Sequence, residues 1–179
     1  MRPPPRKSRS RGRAGVDTPS YRGSRLALRP LSEADIEAIG WYEGAEGLRG
    51  RLEDANCGVL VIIRREDGSA IGVVEYRRGV PEDGWLKVET IAVEPGRRGL
   101  GLESEAVRLV EGDAVRRRLA QRFWSGVRRD DGLGLYFWLR LGYRPTRPGD
   151  LPWKGDPGRD IMAMVRMSEN PKPGPEVGS

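Results

Sequence analysis

The chain has no histidine and one cysteine, Cys57. One thiol without an imidazole cannot build a zinc site, a Ser-His-Asp or Cys-His catalytic group, or a disulfide within the chain. A general base must therefore be a carboxylate, a lysine, a tyrosine, a terminus or a water relay. Lysine occurs only at positions 7, 87, 154 and 172, so the basic charge is mostly arginine, a bias that fits genomic base composition. No apolar run approaches the roughly 18 residues of a membrane span. The N-terminal segment lacks the apolar stretch of a secretory signal. The expectation is a cytoplasmic protein with no membrane partner and no metal.

What is present is enough chain, 179 residues, for one domain with a proper core. The net charge of +6 resides in residues 1–16, where Arg2, Arg6, Lys7, Arg9, Arg11 and Arg13 meet no acid. That segment is rich in Pro, Ser, Gly and Arg and is predicted to be disordered. Residues 1–22 are expected to form a basic leader, 23–168 the folded domain, and 169–179 a disordered tail. The leader reads either as a nucleic-acid or anionic-surface contact or as a floppy extension. Nucleic-acid binding is thus expected only through residues 1–16.

Ser24–Arg29 alternates with period two, a strand ended by Pro30. Ser32 before Glu33, Asp35 and Ile36 marks a helix start. That helix runs through Ile39, and a second follows around Tyr42–Asp54. Val59–Arg65 and Ala70–Tyr76 flank the turn Glu66-Asp67-Gly68-Ser69 as a β-hairpin. Then come a strand over Trp85–Val93, a helix over Ser104–Arg118, a strand over Phe123–Val127 and a helix over Leu133–Leu141 stopped by Gly142. Strands at Tyr143–Arg144 and Asp160–Met167 close the chain. The order β-α-α-β-β-β-α-β-α-β-β predicts an α/β fold with a mixed sheet.

Residues 88–110 carry the most chemistry. A β-branched strand ends at Val93 and passes through Pro95-Gly96 and Arg98-Gly99-Leu100-Gly101 into an apolar-periodic helix. Such a turn aims unpaired backbone N–H groups and the positive end of a helix dipole at one spot, a cradle for phosphate. Arg97 and Arg98 add charge there. Taken alone, the turn reads equally as a tight connection.

The segment resembles the acyl-CoA-binding stretch of the GNAT superfamily of N-acetyltransferases. In that family a strand ending in Val is followed five residues on by Arg/Gln-x-x-Gly-x-Gly/Ala. Here Arg98, Gly99, Leu100, Gly101 and Leu102 follow that pattern, and Glu103 departs from it with bulk and a charge like that of pyrophosphate. A frame beginning at Gly96 matches both glycines but loses the basic residue and shortens the lead. Residues 131–143, DGLGLYFWLRLGY, resemble a second family segment, N-x-x-A-x-x-L-Y-x-x-L-G-F. Gly142 and Tyr143 stand for its G-F, Gly134 for its small residue and Asp131 for its Asn.

The resemblance implies a GNAT-like N-acyltransferase fold from about residue 24 to 167. It implies an enzyme that moves an acetyl group from acetyl-CoA, as co-substrate, to a primary amine of a small molecule or peptide. The backbone of Ile91, Ala92 and Val93 would pair with pantetheine. Arg98, Gly99, Leu100, Gly101, Leu102, Glu103 and Ser104 would surround the diphosphate, with Asp131 and Trp138 also on the cofactor side. Glu89 stands where some members carry the general base. Side-chain alternation puts Lys87, Glu89 and Ile91 on one face, so Glu89 is read as either that base or a salt-bridge partner of Lys87. Trp138 replaces a Tyr that serves the leaving thiolate in many members, and an indole N–H donates a hydrogen bond but no proton. Tyr136 is expected in the core.

Residues 33–54 hold seven acids (Glu33, Asp35, Glu37, Glu43, Glu46, Glu53, Asp54) against Arg49 and Arg51. They form either a wall that attracts a cationic amine or a solvated helix face. Trp41 and Tyr42 either stack on an acceptor or cap the core. The loop Pro145–Pro157, with Trp153, is expected to be a lid. Two other readings stand beside the enzyme: a GNAT-fold module that binds CoA without turnover, favoured by Glu103, and a nucleic-acid-associated protein acting through its leader. The expected assembly is a monomer or homodimer.

Overall fold

The computed structural model describes residues 21–52, 54, 56–151 and 157–168. The leader up to residue 20, the tail from 169 and the centre of the expected lid, Trp153 and Lys154 included, lie outside these residues. The elements are β1 (Tyr21–Arg22), β2 (Leu26–Pro30), α1 (Glu33–Ala38), α2 (Ala45–Arg51), β3 (Cys57–Arg64), β4 (Ala70–Arg78) and β5 (Gly84–Val93). They continue with α3 (Leu102–Arg116), β6 (Ala120–Arg128), α4 (Gly132–Arg140), β7 (Arg144–Thr146) and β8 (Ile161–Met167). One mixed eight-stranded sheet has the order β1-β2-β3-β4-β5-β6-β8-β7. Every neighbouring pair is antiparallel except β5 with β6. No helix among the described residues is long and apolar enough to cross a membrane.

The central strands read as continuous apolar runs because both sheet faces are covered. In β3, Leu60 and Ile62 join a core beneath α3 and α4, while Val59 and Val61 join a second core beneath α1 and α2. Helix α3 sinks Leu102, Ala106, Val107, Val110 and Ala114 into the first core. Each buried Val or Leu there contributes about 1.5–3 kcal/mol. A polar group is buried with them: Tyr143 Oη and Arg166 Nη1 both donate to Glu111. Burial pushes the Glu111 carboxyl upward despite both donors and drives the Tyr143 hydroxyl well above its usual range.

Several boundaries differ from expectation. Strand β1, whose Tyr21 is buried, was unforeseen because its two residues carry no period; it exists by pairing with Leu28 and Ala27. The second helix is only Ala45–Arg51, since Tyr42 belongs to the preceding turn and directs its hydroxyl to Glu75. Helix α3 starts at Leu102 and ends at Arg116, and Arg118 adopts a left-handed φ of 59°. Tyr136 is not in the core but 59% exposed, with the Arg140 guanidinium 5.8 Å from its ring centroid. It shares the outer side of α4 with Leu133 and Leu139, opposite buried Trp138.

Candidate functional site

Strands β5 and β6 are paired only from Gly84↔Ala120 to Lys87↔Trp124. Beyond that point β5 stays paired to β4 through Val93 and β6 stays paired to β8 through Arg128, and the two part company. The parting has a local cause. Between Glu75 and Tyr76 of β4 the register slips, so that Glu89 of β5 is an extra residue. A bulge bends its strand and raises the local twist. The result is a cleft of 480 Å3 whose walls are Glu89, Thr90 and Ile91 of β5, residues 125–128 of β6, Glu103 of α3 and the first turns of α4. Among the described residues, alternate backbone N–H and C=O groups of β5 past Lys87 have no partner on this side.

The bulge overturns the expected alternation. Leu86 and Val88 lie in the core beneath α3 and α4, and so do Ile91 and Val93, an odd number of residues later. Lys87 and Glu89 therefore point to the other face and Ile91 does not join them. Ala92 packs beneath α1 and α2.

The cleft opens against the start of α3. No described residue accepts a hydrogen bond from the backbone N–H of residues 99–104; the first helical bond is Glu105 N–H to the Gly101 carbonyl, 3.1 Å. Gly99 and Gly101 have φ of 78° and 76°, a left-handed conformation that glycine adopts without strain. Arg25, which the sequence did not mark, fixes the loop from behind. Its Nη1 donates to the Leu100 carbonyl (2.8 Å), its Nη2 to the Gly101 carbonyl (3.2 Å), and its Nε to Glu105 (2.8 Å). In a trans peptide the N–H opposes the carbonyl, so this clamp turns the Gly101 and Leu102 amides away from Arg25. A larger hollow of 610 Å3 lies on the Arg25 side, lined by Arg64, Arg65 and Arg97 as well. Each of those guanidiniums already binds a protein carboxylate or carbonyl.

The residues singled out in the sequence separate accordingly. Ile91, Glu103, Asp131 and Trp138 line the cleft, as does Glu89. The Glu103 carboxylate has no hydrogen bond or ion pair among the described residues, and the groove beside it is open. Arg98 donates from Nε to the Val93 carbonyl, 3.2 Å. The Leu100 side chain is 62% exposed and borders the hollow on the Arg25 side, and the Leu102 side chain is core. Asp131 caps α4, accepting from Gly134 N–H at 2.8 Å; a Cβ at Gly134 would lie 2.3 Å from Asp131 Oδ2. Trp138 is buried edge-on to Tyr143, ring centroids 4.7 Å apart, and its Nε1–H has no acceptor among the described residues. Ser125, buried on the opposite wall, was missed.

On the face toward α1 and α2, polar side chains fill the middle of the sheet. Glu89 is ion-paired to Lys87 at 2.7 Å and Arg77 at 3.5 Å, one through each oxygen. Lys87 Nζ also sits 4.7 Å from the Trp124 ring centroid. Glu75, 1% exposed in a central strand, accepts from Arg51 and from Tyr42 Oη. The Tyr42 hydroxyl is also bonded to Thr90, and burial raises its pKa. Of the expected acidic wall, Asp35 is bound by Arg29 and Ser32, and Glu33 pairs with Arg49. Those acids are consumed in α1 and α2 rather than turned to the cleft.

Comparison with known proteins gives the same picture. The model of the acetyltransferase (GNAT) family matches residues 19–143. Among solved structures, an acetyltransferase from Agrobacterium tumefaciens aligns over 89% of this chain and 100% of its own, at 20% identity and TM-score 0.68. A probable GNAT-family acetyltransferase from Chromobacterium violaceum aligns over 92% and 97%, at 17% identity and TM-score 0.66. An acetyltransferase from Salmonella typhimurium that modifies the N-terminal serine of a 50S ribosomal subunit protein aligns over 81% and 96%, at 15% identity and TM-score 0.65. No curated protein matches this sequence. On fold, site geometry and family match together, the chain belongs to the acetyltransferase (GNAT) family.

Proposed function

We propose that the protein transfers an acyl group, acetyl in the first instance, from acyl-CoA to a primary amine. The reading is carried by one observation: a parallel strand pair that opens at Lys87 and Trp124 onto an uncapped helix end. The N–H groups of residues 99–104 suit a diphosphate. The unclaimed edge of β5 suits the pantetheine amides, taken as an added strand. Together they would hold a thioester near the Glu89 bulge.

The amine must give up a proton before its lone pair attacks the thioester carbonyl, and Glu89 is the proposed acceptor of that proton, directly or through water. To take it, one Glu89 oxygen must let go of Lys87 or Arg77. Charge building on the carbonyl oxygen would meet N–H groups that β6 leaves free. As the nitrogen–carbon bond forms, the carbon–sulfur bond breaks with its electron pair on sulfur. Trp138 Nε1–H and Ser125 Oγ–H are the cleft donors that would hydrogen-bond the thiolate until solvent protonates it.

Calorimetry with acetyl-CoA, followed by thiol release with a panel of amines, tests the reading. Glu89→Gln should lower kcat at least 100-fold with acetyl-CoA affinity unchanged. Absence of acetyl-CoA binding would end the proposal. A second reading, a module that binds acyl-CoA without turnover, is favoured by the engagement of both Glu89 oxygens and by Glu103 in the cleft. Binding without thiol release from any amine is its signature.

A further inference from the structure

Resting on that reading, we propose that the acceptor amine carries its own carboxylate, and that Arg77 and Arg51 recognise it. The face behind the cleft holds both carboxylates and guanidiniums. Two carboxylates lie there, and all four of their oxygens are engaged: Glu75 by Tyr42 and Arg51, Glu89 by Arg77 and Lys87. Asp54, farther out, is turned onto the Asn56 amide at 2.9 Å. Among the described residues, neither carboxylate in the middle of this face has a free oxygen.

The cations are in the opposite condition. Arg51 spends Nη1 on Glu75 and Arg77 spends Nε on Glu89. Their remaining N–H groups have no acceptor among the described residues, and the two side chains are 45% and 43% exposed. Arg77 stands directly across from Lys87, the last residue before the strands part. One strand spacing, about 4.8 Å, separates it from the cleft edge. A guanidinium with free donors beside a partly shielded site is suited to bidentate carboxylate recognition.

The contacting groups carry three positive charges against two negative. A zwitterion can set its carboxylate on Arg77 and turn its amine toward Glu89. The carboxylate can belong to a free amino acid or to an acidic first residue of a peptide, and the two sources are separable.

The test compares amino acids with their amides, and peptides beginning with Asp or Glu with those beginning with Asn or Gln, as acceptors for acetyl-CoA. Binding of the matching N-acetylated products is measured by calorimetry, which needs no turnover. Carboxylate-bearing acceptors should exceed their amides at least tenfold in kcat/KM, and their products should bind at least fivefold more tightly. Arg77→Gln should erase both preferences, mainly through KM, with acetyl-CoA affinity within about twofold of wild type. Arg51→Gln is the second probe should Arg77→Gln not fold. Equal use and binding of acids and amides, or preference for polyamines, overturns the inference even if transfer occurs. Carboxylate-selective product binding without any thiol release sustains it while removing the transferase reading.

Discussion

Helices α3 and α4 make an instructive pair. Each follows one strand of the same parallel pair, and each begins at the mouth of the same cleft. One is closed and the other is not. Asp131 accepts from Gly134 at the start of α4, whereas α3 starts at a left-handed glycine with no side-chain cap and a run of N–H groups that bond to nothing described. Capping is worth about 1 kcal/mol, so leaving α3 bare forgoes stability that its neighbour keeps. A bare helix end beside an open cleft is what a diphosphate would complete. Arg25 adds to the contrast, because three of its nitrogens hold the α3 loop in a form that α3 itself does not stabilise.

Four substitutions probe the two helix ends. Gly101→Asp puts a carboxylate at the bare end, and acetyl-CoA affinity measured by calorimetry should fall at least tenfold. Arg25→Ala frees the Leu100 and Gly101 carbonyls and should weaken acetyl-CoA about fivefold; hydrogen exchange at residues 99–104 should rise with it. Asp131→Ala uncaps the other helix and should cost about 1 kcal/mol of stability, seen as a lower Tm, with acetyl-CoA affinity within twofold. A large loss of affinity there would show that Asp131, which also lines the cleft, contacts the ligand as well as capping α4. Glu103→Gln removes the free carboxylate from the cleft and should tighten acetyl-CoA a few-fold, more at low salt.

Acid supplies a graded variant of the same idea at α1, whose capping box joins Ser32 and Asp35. Hydrogen bonding from Arg29, then from Ser32, outweighs desolvation and holds the Asp35 carboxyl at about 2. A depressed value means its stabilisation is complete above the ordinary aspartate range and fades as pH falls through about 4 toward 2. Asp35→Asn should flatten that part of the stability–pH curve, by urea denaturation between pH 5 and pH 2, without touching acetyl-CoA affinity at pH 7.

Much of this was legible in the residues, and the reasons are local. The apolar runs of β3 and β4, the glycine-rich entry to α3 and the Gly142 stop after α4 are short-range signals, and the elements appear where those signals put them. What escaped was long-range or irregular. Arg25 meets Leu100 across 75 residues, and nothing in SRLALR distinguishes it from any exposed strand residue. Glu75 sits inside AIGVVEYRR, where an acid reads as solvent-facing; its burial depends on Arg51 and Tyr42 arriving from another element. Asp131, which the family segment puts on the cofactor side, lines the cleft and also caps α4, a role that an Asp before a helix announces by itself. The two-residue alternation of β5 failed at Glu89 because a bulge adds a residue without changing composition.

That added residue gives β5 a freedom that a regular strand lacks. It lets Val88 and Ile91 face the same core while Glu89 and Thr90 stand side by side at the cleft, turned away from that core. Deleting either one would restore strict alternation with Ile91 and Val93 still on the core side, and would remove the bulge that bends the strand at the cleft. A one-residue deletion there is therefore expected to keep the core packed while closing the cleft, whereas exchange at Thr90 alone can alter what the site accepts and leave Glu89 in its role.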